Sequence, residues 1–365
     1  MFRHSIVILQ ASMAILAVRG WLVPTEKWHW KVSVGVLELG HWLAVPALLT
    51  AIAGVLLFRW WLRWVLLNLG IILALAFMVP AYQASKLDKD FQIMRLWSTE
   101  DPPEIAPLQR KIFWRNYKDQ LDALIYRPLK PASDRLPWIL LLHTGGWESG
   151  ESDEFDQWNR TLAAQGYVIM SMNYHLAPKH RWPAQRDDVR MAVKWATEHA
   201  AEMGIDPGKL VLMGRSAGGQ IATACANTMP DLEAKGVIAL YSPMDMEFAH
   251  TFSTDDDIIG ALKLLRQYLG GDPDTAQENY RSASAINFIN KATPPTLLLH
   301  GTRDPMVWVE QSIRYKAKFD KLGVGDRCTF VQLPWAVHGF DYFPKSPGGQ
   351  VSLYEVTEFL KKLGL

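Results

Sequence analysis

Apolar residues follow two different patterns along the chain, and the first pattern dominates the N-terminal part. Three long apolar stretches lie there, at residues 5–18, 42–58 and 65–81. A helix needs about 20 apolar residues to cross a hydrocarbon layer ~30 Å thick, so the second and third stretches fit a span with slight extension. The first stretch fits if it continues to Val23, with the Arg19 side chain reaching toward the interface. This pattern predicts a membrane anchor of two or three transmembrane helices over residues 1–81.

Two other structures are compatible with these apolar stretches. The first stretch is short enough for the apolar core of a signal peptide, although no small-residue cleavage site follows it. A buried helical hairpin of a soluble protein would also be apolar. However, seven of the 16 tryptophans lie within the first 64 residues. Tryptophans and arginines at the ends of apolar stretches are typical of a water–lipid interface, which favours the anchor.

Positive charges predict which side of the membrane the rest of the chain occupies. Arg3 precedes the first stretch, and Arg59 and Arg63 lie in the connector after the second. Three spans would place both groups on the cytoplasmic side and the C-terminal part on the non-cytoplasmic side. Lysines in the first connector and after the third stretch leave the opposite orientation open.

The second pattern begins near residue 110, after a polar, proline-containing linker at residues 82–109. From residue 110 to residue 365, short apolar stretches alternate with helical ones, which predicts an α/β domain whose mostly parallel sheet has helices on both faces. The expected strands lie near residues 123–126, 138–143, 167–173, 209–213, 236–240, 296–300 and 328–333. The clearest helices are expected at residues 184–203, 217–228, 307–322 and 351–362. An insertion at about residues 241–292 has the length of a lid.

Composition narrows the range of partners. The formal net charge is only +1, and no basic stripe is present, so nucleic acid is not an expected partner. The two cysteines, Cys225 and Cys328, lack the close spacing of a metal-binding or redox motif. The expected partners are a lipid bilayer and a small molecule.

One short stretch carries a candidate nucleophile. Ser216 lies between Gly214 and Gly218 in the spacing G-x-S-x-G, after an expected strand and before an expected helix. Small residues at these positions let a strained strand-to-helix turn close, which exposes the serine hydroxyl. The free N–H groups at the start of the helix then point toward developing negative charge. Because glycine-rich turns also occur without this chemistry, the partners of the serine decide the interpretation.

The sequence His143-Thr144-Gly145-Gly146-Trp147 directly follows an apolar strand. Glycines in such a place bring backbone N–H groups within hydrogen-bond reach of a substrate oxygen, because no β-carbon intervenes. We therefore predict that Gly145, Gly146 and Ala217 donate to an oxyanion. A tight turn without a catalytic role is the alternative.

Candidates for a general base and its carboxylate partner come late in the chain. Asp304 follows the strand at residues 296–300, and His338 follows the strand at residues 328–333 beside a glycine. A serine, an acid and a histidine in this order, each after its own strand, predict a Ser-Asp-His triad. Asp341, close to His338 in sequence, is the rival acid.

With these motifs, residues 110–365 resemble an α/β-hydrolase of the esterase/lipase type, close to the hormone-sensitive-lipase-like, feruloyl-esterase-like and kynurenine-formamidase-like branches. A further run is similar to the segment that precedes the elbow in those families: Asn173-Tyr174-His175-Leu176-Ala177-Pro178, with Trp182-Pro183-Ala184-Gln185 and Asp188-Val189. The resemblance does not extend to residues 1–109.

The resemblance implies roles for individual residues. Ser216 matches the nucleophile, Asp304 the acid and His338 the base, and the two glycines of the strand-end motif match oxyanion glycines. Thr144 stands where the family pattern has its first glycine, which affects the geometry of that turn.

The sequence as a whole predicts a serine hydrolase that cleaves carboxylic esters without a metal or organic cofactor, with lipid-like or apolar esters at a membrane as candidate substrates. Amide or formamide hydrolysis and acyl transfer remain alternatives on the same fold. A ligand-binding protein without turnover is an alternative of another class. Because the apolar stretches lie outside the strand–helix alternation, a fragment starting near residue 100 is expected to be soluble and active.

Overall fold

The computed structural model describes residues 2–117 and 119–365. The chain forms two compact units. One, called here the helical unit, contains Met1–Glu100, Gly301–Pro305 and Leu333–Glu355. The other, called here the sheet unit, contains Asp101–His300, Met306–Gln332 and Val356–Leu365.

Four helices make up most of the helical unit: α1 (Phe2–Trp21), α2 (Lys27–Leu39), α3 (His41–Leu57) and α4 (Trp61–Leu87). By length and composition, Arg3–Trp21 and Trp61–Leu87 could each cross a membrane. The pair α2 and α3, bent by 75° at Gly40, would count as a third span if taken together. The structure therefore offers two or three candidate spans. Helix α4 continues beyond residue 81 to Leu87. A short 3-10 helix at Ile93–Trp97 lies in the expected linker.

Small residues allow α3 and α4 to pack closely. A β-carbon added at Gly70 would lie 2.6 Å from both the Ala47 carbonyl oxygen and the Ala51 β-carbon, so the backbones approach where only glycine fits. One polar side chain joins three helices there, because the buried Gln10 amide donates to Leu66 O at 2.9 Å and to Thr50 Oγ1 at 3.3 Å. Many large apolar side chains of α1, α3 and α4 face outward, as a lipid-facing surface requires.

The sheet unit alternates strands and helices. The eight strands are β1 (Gln109–Arg115), β2 (Gln120–Tyr126), β3 (Leu136–Leu142), β4 (Val168–Met172), β5 (Ile205–Arg215), β6 (Gly236–Leu240), β7 (Thr296–Gly301) and β8 (Cys328–Leu333). The remaining helices are α5 (Asp156–Ala164), α6 (Ala184–Glu198), α7 (Ala200–Met203), α8 (Ala217–Thr228), α9 (Met246–Phe252), α10 (Ala261–Leu269), α11 (Gln277–Ala283), α12 (Glu310–Lys321) and α13 (Pro347–Lys362). Short 3-10 helices occur at Pro230–Leu232, Ala285–Phe288 and Gly325–Arg327.

The sheet has the strand order β1-β2-β4-β3-β5-β6-β7-β8. Strands β4, β3, β5, β6 and β7 pair in parallel, whereas β1 and β2 are antiparallel to each other and β2 is antiparallel to β4. The predicted α/β class with a mostly parallel sheet is confirmed. Strand β1 was not among the expected strands, because it is an edge strand whose charged residues hide the apolar signal.

The core strands β3 and β5 position the site. Strand β3 is almost fully buried and mostly apolar, and β5 is continuously buried from Leu210 to Arg215, as strands covered on both faces require. They pair in parallel with Leu142 opposite Gly214, so the residues that follow each strand emerge side by side at one edge of the sheet. This register brings the motif after β3 next to Ser216.

Candidate active site

Ser216 lies at the sharp turn between β5 and α8. Its backbone has φ 52° and ψ −123°, a conformation that L-residues rarely adopt. The strand pairing holds this turn in place, because the Ser216 N–H donates to Leu240 O at 2.9 Å. The serine is thus presented by a strained but well-supported backbone.

The glycines around Ser216 are required by close backbone contacts. A β-carbon at Gly214 would lie 2.3 Å from the Gly218 carbonyl group, and one at Gly218 would lie 2.3 Å from Leu142 O. At Gly219 the nearest atom would be Ser242 Oγ, at 1.8 Å. Only hydrogen fits at these positions, so the predicted reason for the G-x-S-x-G spacing is correct.

The turn after β3 has three consecutive residues with positive φ: Gly145 (107°), Gly146 (59°) and Trp147 (64°). A β-carbon at Gly145 would lie 2.0 Å from Ser149 O, so this turn also depends on glycine. Thr144, which replaces the first glycine of the family pattern, binds Glu154 Oε2 through its N–H at 3.1 Å and its hydroxyl at 2.8 Å. The threonine therefore anchors the start of the turn to the segment before α5.

Buried polar side chains hold this turn from the other side. Burial lowers the pKa of His143, and its Nδ1 lies 2.8 Å from Thr144 O. The Tyr174 ring stacks on the His143 ring at 4.0 Å, and its hydroxyl donates to His143 O at 3.1 Å. Gln220 Oε1 accepts from both Trp147 Nε1 and the Tyr268 hydroxyl, each at 2.9 Å. These bonds join the turn to α8 and α10.

A cavity in the sheet unit opens beside the serine. Gly146, Ser216 and Ala217 lie together in its wall, so three of the six predicted site residues share one cavity. The rest of the wall is mostly apolar and comes from α9, α10, the connection between them and the segment before α12, including Phe248, Phe252, Ile259, Leu264, Leu265, Met306 and Trp308. The first two helices belong to the insertion expected at residues 241–292.

The helical unit contains the other two triad candidates, which are in contact with each other. His338 Nδ1 lies 2.7 Å from Asp304 Oδ2, and the Asp304 side chain is fully buried. The two loops are tied together, because Arg303 N–H donates to Ala336 O at 3.1 Å and Thr302 N–H donates to Leu333 O at 3.0 Å. The carboxylate on Nδ1 is that of Asp304, the predicted acid, rather than that of Asp341.

The same two loops also contact residues that sequence reasoning did not assign to the site. Trp30 of α2 donates its indole N–H to His338 O at 2.8 Å. The carboxylate of Glu38, also in α2, accepts hydrogen bonds from the loop that carries His338. One sequence signal existed, because Glu38 is the only acidic residue between Glu26 and Asp88.

Comparison with known proteins places this arrangement in a family. The BD-FAE family profile matches residues 123–319, more than half of the chain. The chain belongs to the BD-FAE family. This BD-FAE member is 30% identical to Esterase LipC of Mycobacterium tuberculosis over 250 residues, which are 65% of the chain and 60% of LipC. The chain thus spans less than two thirds of that relative, as it does for other curated relatives.

Solved esterases share the fold. The esterase of Pyrobaculum calidifontis has a TM-score of 0.62 and 23% identity, covering 79% of this chain and 92% of the esterase. Esterase 2 of Thermogutta terrifontis, phosphoramylated by tabun, has a TM-score of 0.58 and 28% identity, covering 73% of this chain and 98% of the esterase. The predicted α/β-hydrolase fold with an esterase-type family is confirmed.

The segment before the elbow is built around an ion pair in this BD-FAE member. His175 Nδ1 lies 2.7 Å from Asp188 Oδ1, and the hydrogen bond that the imidazole donates to this carboxylate raises the pKa of His175. His175, His180 and Asp119 each offer one ligand atom within 4.8 Å of the others. The Lys179 ammonium already binds Asp119 at 2.8 Å and competes with a metal ion, so we assign this cluster no cofactor.

Proposed function

We propose that the protein is a serine hydrolase that cleaves carboxylic esters, with Ser216 as nucleophile, His338 as base and Asp304 as its acid partner. The observation that carries the proposal is the placement of Ser216 at a positive-φ turn, in one cavity wall with Gly146 and Ala217. The names of the relatives support the same chemistry. Because the chain spans only part of the curated relatives, its activity is inferred from its own residues.

The first half of the reaction forms an acyl-enzyme. His338 takes the proton from the Ser216 hydroxyl while the serine oxygen attacks the ester carbonyl carbon. Since Nδ1 of His338 faces Asp304, the proton is received at Nε2. The proposal therefore requires Nε2 to come within hydrogen-bond reach of Ser216. The imidazolium then gives its proton to the leaving alcohol.

The oxyanion of the tetrahedral intermediate needs donors that are already in place. The N–H groups of Gly145, Gly146 and Ala217 are the proposed donors, and Ala217 begins α8, where unpaired N–H groups point out of the helix. In the second half, water replaces the alcohol, His338 activates it, and the acyl-enzyme is hydrolysed. The chain's own residues supply every proton transfer, so no metal or organic cofactor is invoked.

We propose that the substrate carries an apolar acyl group. The cavity wall beside Ser216 is formed largely by aromatic and aliphatic side chains, and an apolar group that enters it leaves water. Phe252 and Trp308 are 49% and 42% exposed, and their rings lie 5.3 Å apart at the cavity. Helix α10 is held by the buried hydrogen bond from the Tyr268 hydroxyl to Gln220 Oε1, and α11 by the bond from Trp182 Nε1 to Ser282 Oγ at 3.0 Å, so we expect a preformed acyl site.

An acyl-chain series tests the substrate class. We expect kcat/KM of the detergent-solubilised full chain to rise from p-nitrophenyl acetate to butyrate and hexanoate, by about fourfold per buried methylene. Phe252→Ala should lower kcat/KM for hexanoate by about threefold or more and leave the acetate value unchanged. The matched control is Ile313→Ala, an apolar side chain of α12 with 43% exposure outside the cavity wall. An apolar acyl site would be contradicted if kcat/KM did not change with acyl-chain length and if neither variant differed from the native protein.

We propose that residues 1–81 anchor the protein in a membrane, that residues 82–109 link the anchor to the hydrolase, and that residues 110–365 carry the chemistry. The hydrogen bond from Trp30 to His338 supports three spans, formed by α1, α3 and α4. A chain crossing only with α1 and α4 would put α2 and the residues after α4 on opposite sides of the bilayer. With three spans, both lie on the same side in either orientation. Helix α3 has 17 residues, roughly 26 Å, which is slightly short but within the usual mismatch.

Protease protection tests the sidedness. With Arg3, Arg59 and Arg63 on the cytoplasmic side, the hydrolase part lies on the non-cytoplasmic side. Protease added to intact spheroplasts should therefore degrade the C-terminal part, as followed by an antibody to a C-terminal tag. Complete protection until lysis would place that part in the cytoplasm. Release of the full chain by carbonate would contradict the anchor itself.

A further inference from the structure

A buried carboxylate of helix α2 holds both ends of the loop that carries His338. Glu38 is 1% exposed. Its Oε1 accepts from Trp335 Nε1 at 3.0 Å. Its Oε2 accepts from Ser346 Oγ at 2.8 Å and from Gly348 N at 2.7 Å. The two ends of the loop at residues 335–348 are thus joined through one side chain, all within the helical unit.

The chemistry of these contacts explains why an acidic residue occupies an apolar helix. Burying a carboxylate is costly unless hydrogen bonds replace its hydration. Three donors converge on Glu38, and one of them is the Gly348 N–H in the first turn of α13. The first N–H groups of a helix have no partner within it and carry partial positive charge, so a carboxylate there is stabilised. A β-carbon at Gly348 would lie 2.6 Å from Phe340 O and 3.0 Å from both oxygens of Glu38, so the backbone contact leaves room only for glycine.

A second contact from α2 reaches His338 itself. The Trp30 indole donates to His338 O at 2.8 Å, which fixes the backbone from which the imidazole projects. The next residue, Gly339, has φ 78°, and a β-carbon there would lie 3.6 Å from the Trp30 ring. Trp30 and Glu38 therefore act on the same loop at two places.

The end of α1 contacts the loop of the acid in a similar way. Arg303, the residue before Asp304, donates a hydrogen bond to Trp21 O, and its guanidinium lies 5.3 Å from the centre of the Trp21 ring. The loops of the acid and the base are thus both held by residues 21–38.

We propose that Glu38 and Trp30 are positioning residues for His338. Helix α2 then orients the catalytic base in addition to being part of the anchor. This inference rests on the proposed role of His338 as the general base. A base displaced by about 1 Å can lower turnover about 100-fold, while the acyl cavity, built from other residues, still binds substrate. Loss of these contacts should therefore lower kcat and leave KM nearly unchanged.

Glu38→Gln in the full-length protein tests the proposal. Glutamine has the same size, but whichever way its amide turns, the NH₂ group faces a donor of the loop. We expect kcat for p-nitrophenyl butyrate to fall about 10-fold to 100-fold with an unchanged KM. The rate at which a fluorophosphonate labels Ser216 should fall in parallel, because that reaction uses the same base. The matched control, Glu26→Gln, changes an exposed glutamate at the start of α2 that accepts a hydrogen bond from Trp28.

Trp30→Phe keeps an aromatic ring, replaces the indole with a smaller phenyl ring and removes the N–H that donates to His338. We expect a smaller fall in kcat, about threefold to tenfold, as for one hydrogen bond. Its control is Trp28→Phe, which removes an indole N–H that donates to Glu26 at the exposed side of the same helix. Because Trp30→Phe and Trp28→Phe lose the same ring volume on the same helix, their comparison tests the proposal if Glu38→Gln does not accumulate in membranes.

Two measurements separate the possible failures. Membrane abundance and thermal unfolding of each variant report folding, so a fall in kcat at unchanged stability indicates positioning. If Ser216→Ala is inactive but Glu38→Gln and Trp30→Phe both keep wild-type kcat and labelling rates, the positioning roles are wrong and the hydrolase stands. If Ser216→Ala retains full activity, the proposed function itself fails.

Discussion

Replacement of Ser216 by alanine is expected to lower kcat for p-nitrophenyl butyrate by about 10⁶-fold, to the level left by the oxyanion donors and binding alone. The hydroxyl oxygen of Ser216 is the atom that is proposed to form the acyl-enzyme. Alanine fits the site, because only Oγ is removed and the strained backbone stays as it is. We therefore expect the thermal unfolding temperature to remain close to that of the native protein.

The control for this experiment is Ser133→Ala, which removes an exposed hydroxyl that donates to Arg135 O. It should keep full activity. A fluorophosphonate should label the native protein and the control but not Ser216→Ala. Labelling of the Ser216 variant at the native rate would show that another residue is the nucleophile.

Replacement of Asp304 by asparagine is expected to lower kcat by about 10⁴-fold. The carboxylate accepts a hydrogen bond from Nδ1 of His338 at 2.7 Å, which leaves Nε2 as the basic nitrogen. An amide in its place can donate to Nδ1 instead, and the proton then sits on the wrong nitrogen. The steady-state rate with a short-chain ester measures the effect directly.

Asp341→Asn is the comparison that decides between the two carboxylates. Asp341 is fully buried three residues after His338, so its amide can affect stability, which thermal unfolding measures separately. Its kcat, corrected for the folded fraction, should stay within about tenfold of the native value. If Asp341→Asn loses four orders of magnitude and Asp304→Asn does not, the assignment of the acid must be exchanged.

Much of the fold could be predicted because its signals are local. Continuous apolar runs bounded by turns marked β3 and β5, and the strand ends then located the two glycine motifs. The turn at Ser216 was predictable because close contacts at Gly214 and Gly218 exclude any β-carbon. Both positions must therefore be glycine, and the glycines are visible in the sequence. The triad could be predicted because Ser216, Asp304 and His338 occur in the expected order and each follows its own strand.

The sequence did not reveal β1, whose charged edge-strand pattern resembles that of a polar linker. It also did not reveal the cavity wall, because α9, α10 and the segment before α12 contribute to it from places far apart in the chain. The lone acidic residue at position 38 was visible, but its partners lie about 300 residues later. Hydrogen bonds of that separation leave no periodic pattern that a local analysis can detect.

The N-terminal helices show most clearly which properties follow from the sequence and which follow only from the tertiary structure. The sequence by itself determined that they are apolar enough for a membrane and lie outside the strand–helix alternation, which led to the expectation that a fragment from residue 100 keeps its activity. Only the tertiary structure decided that Trp21, Trp30 and Glu38 hold the loops of Asp304 and His338. We now expect such a fragment to lose activity. The physical reason is that hydrophobicity is a property of each residue, whereas satisfying a buried carboxylate requires donors that only the folded chain brings together.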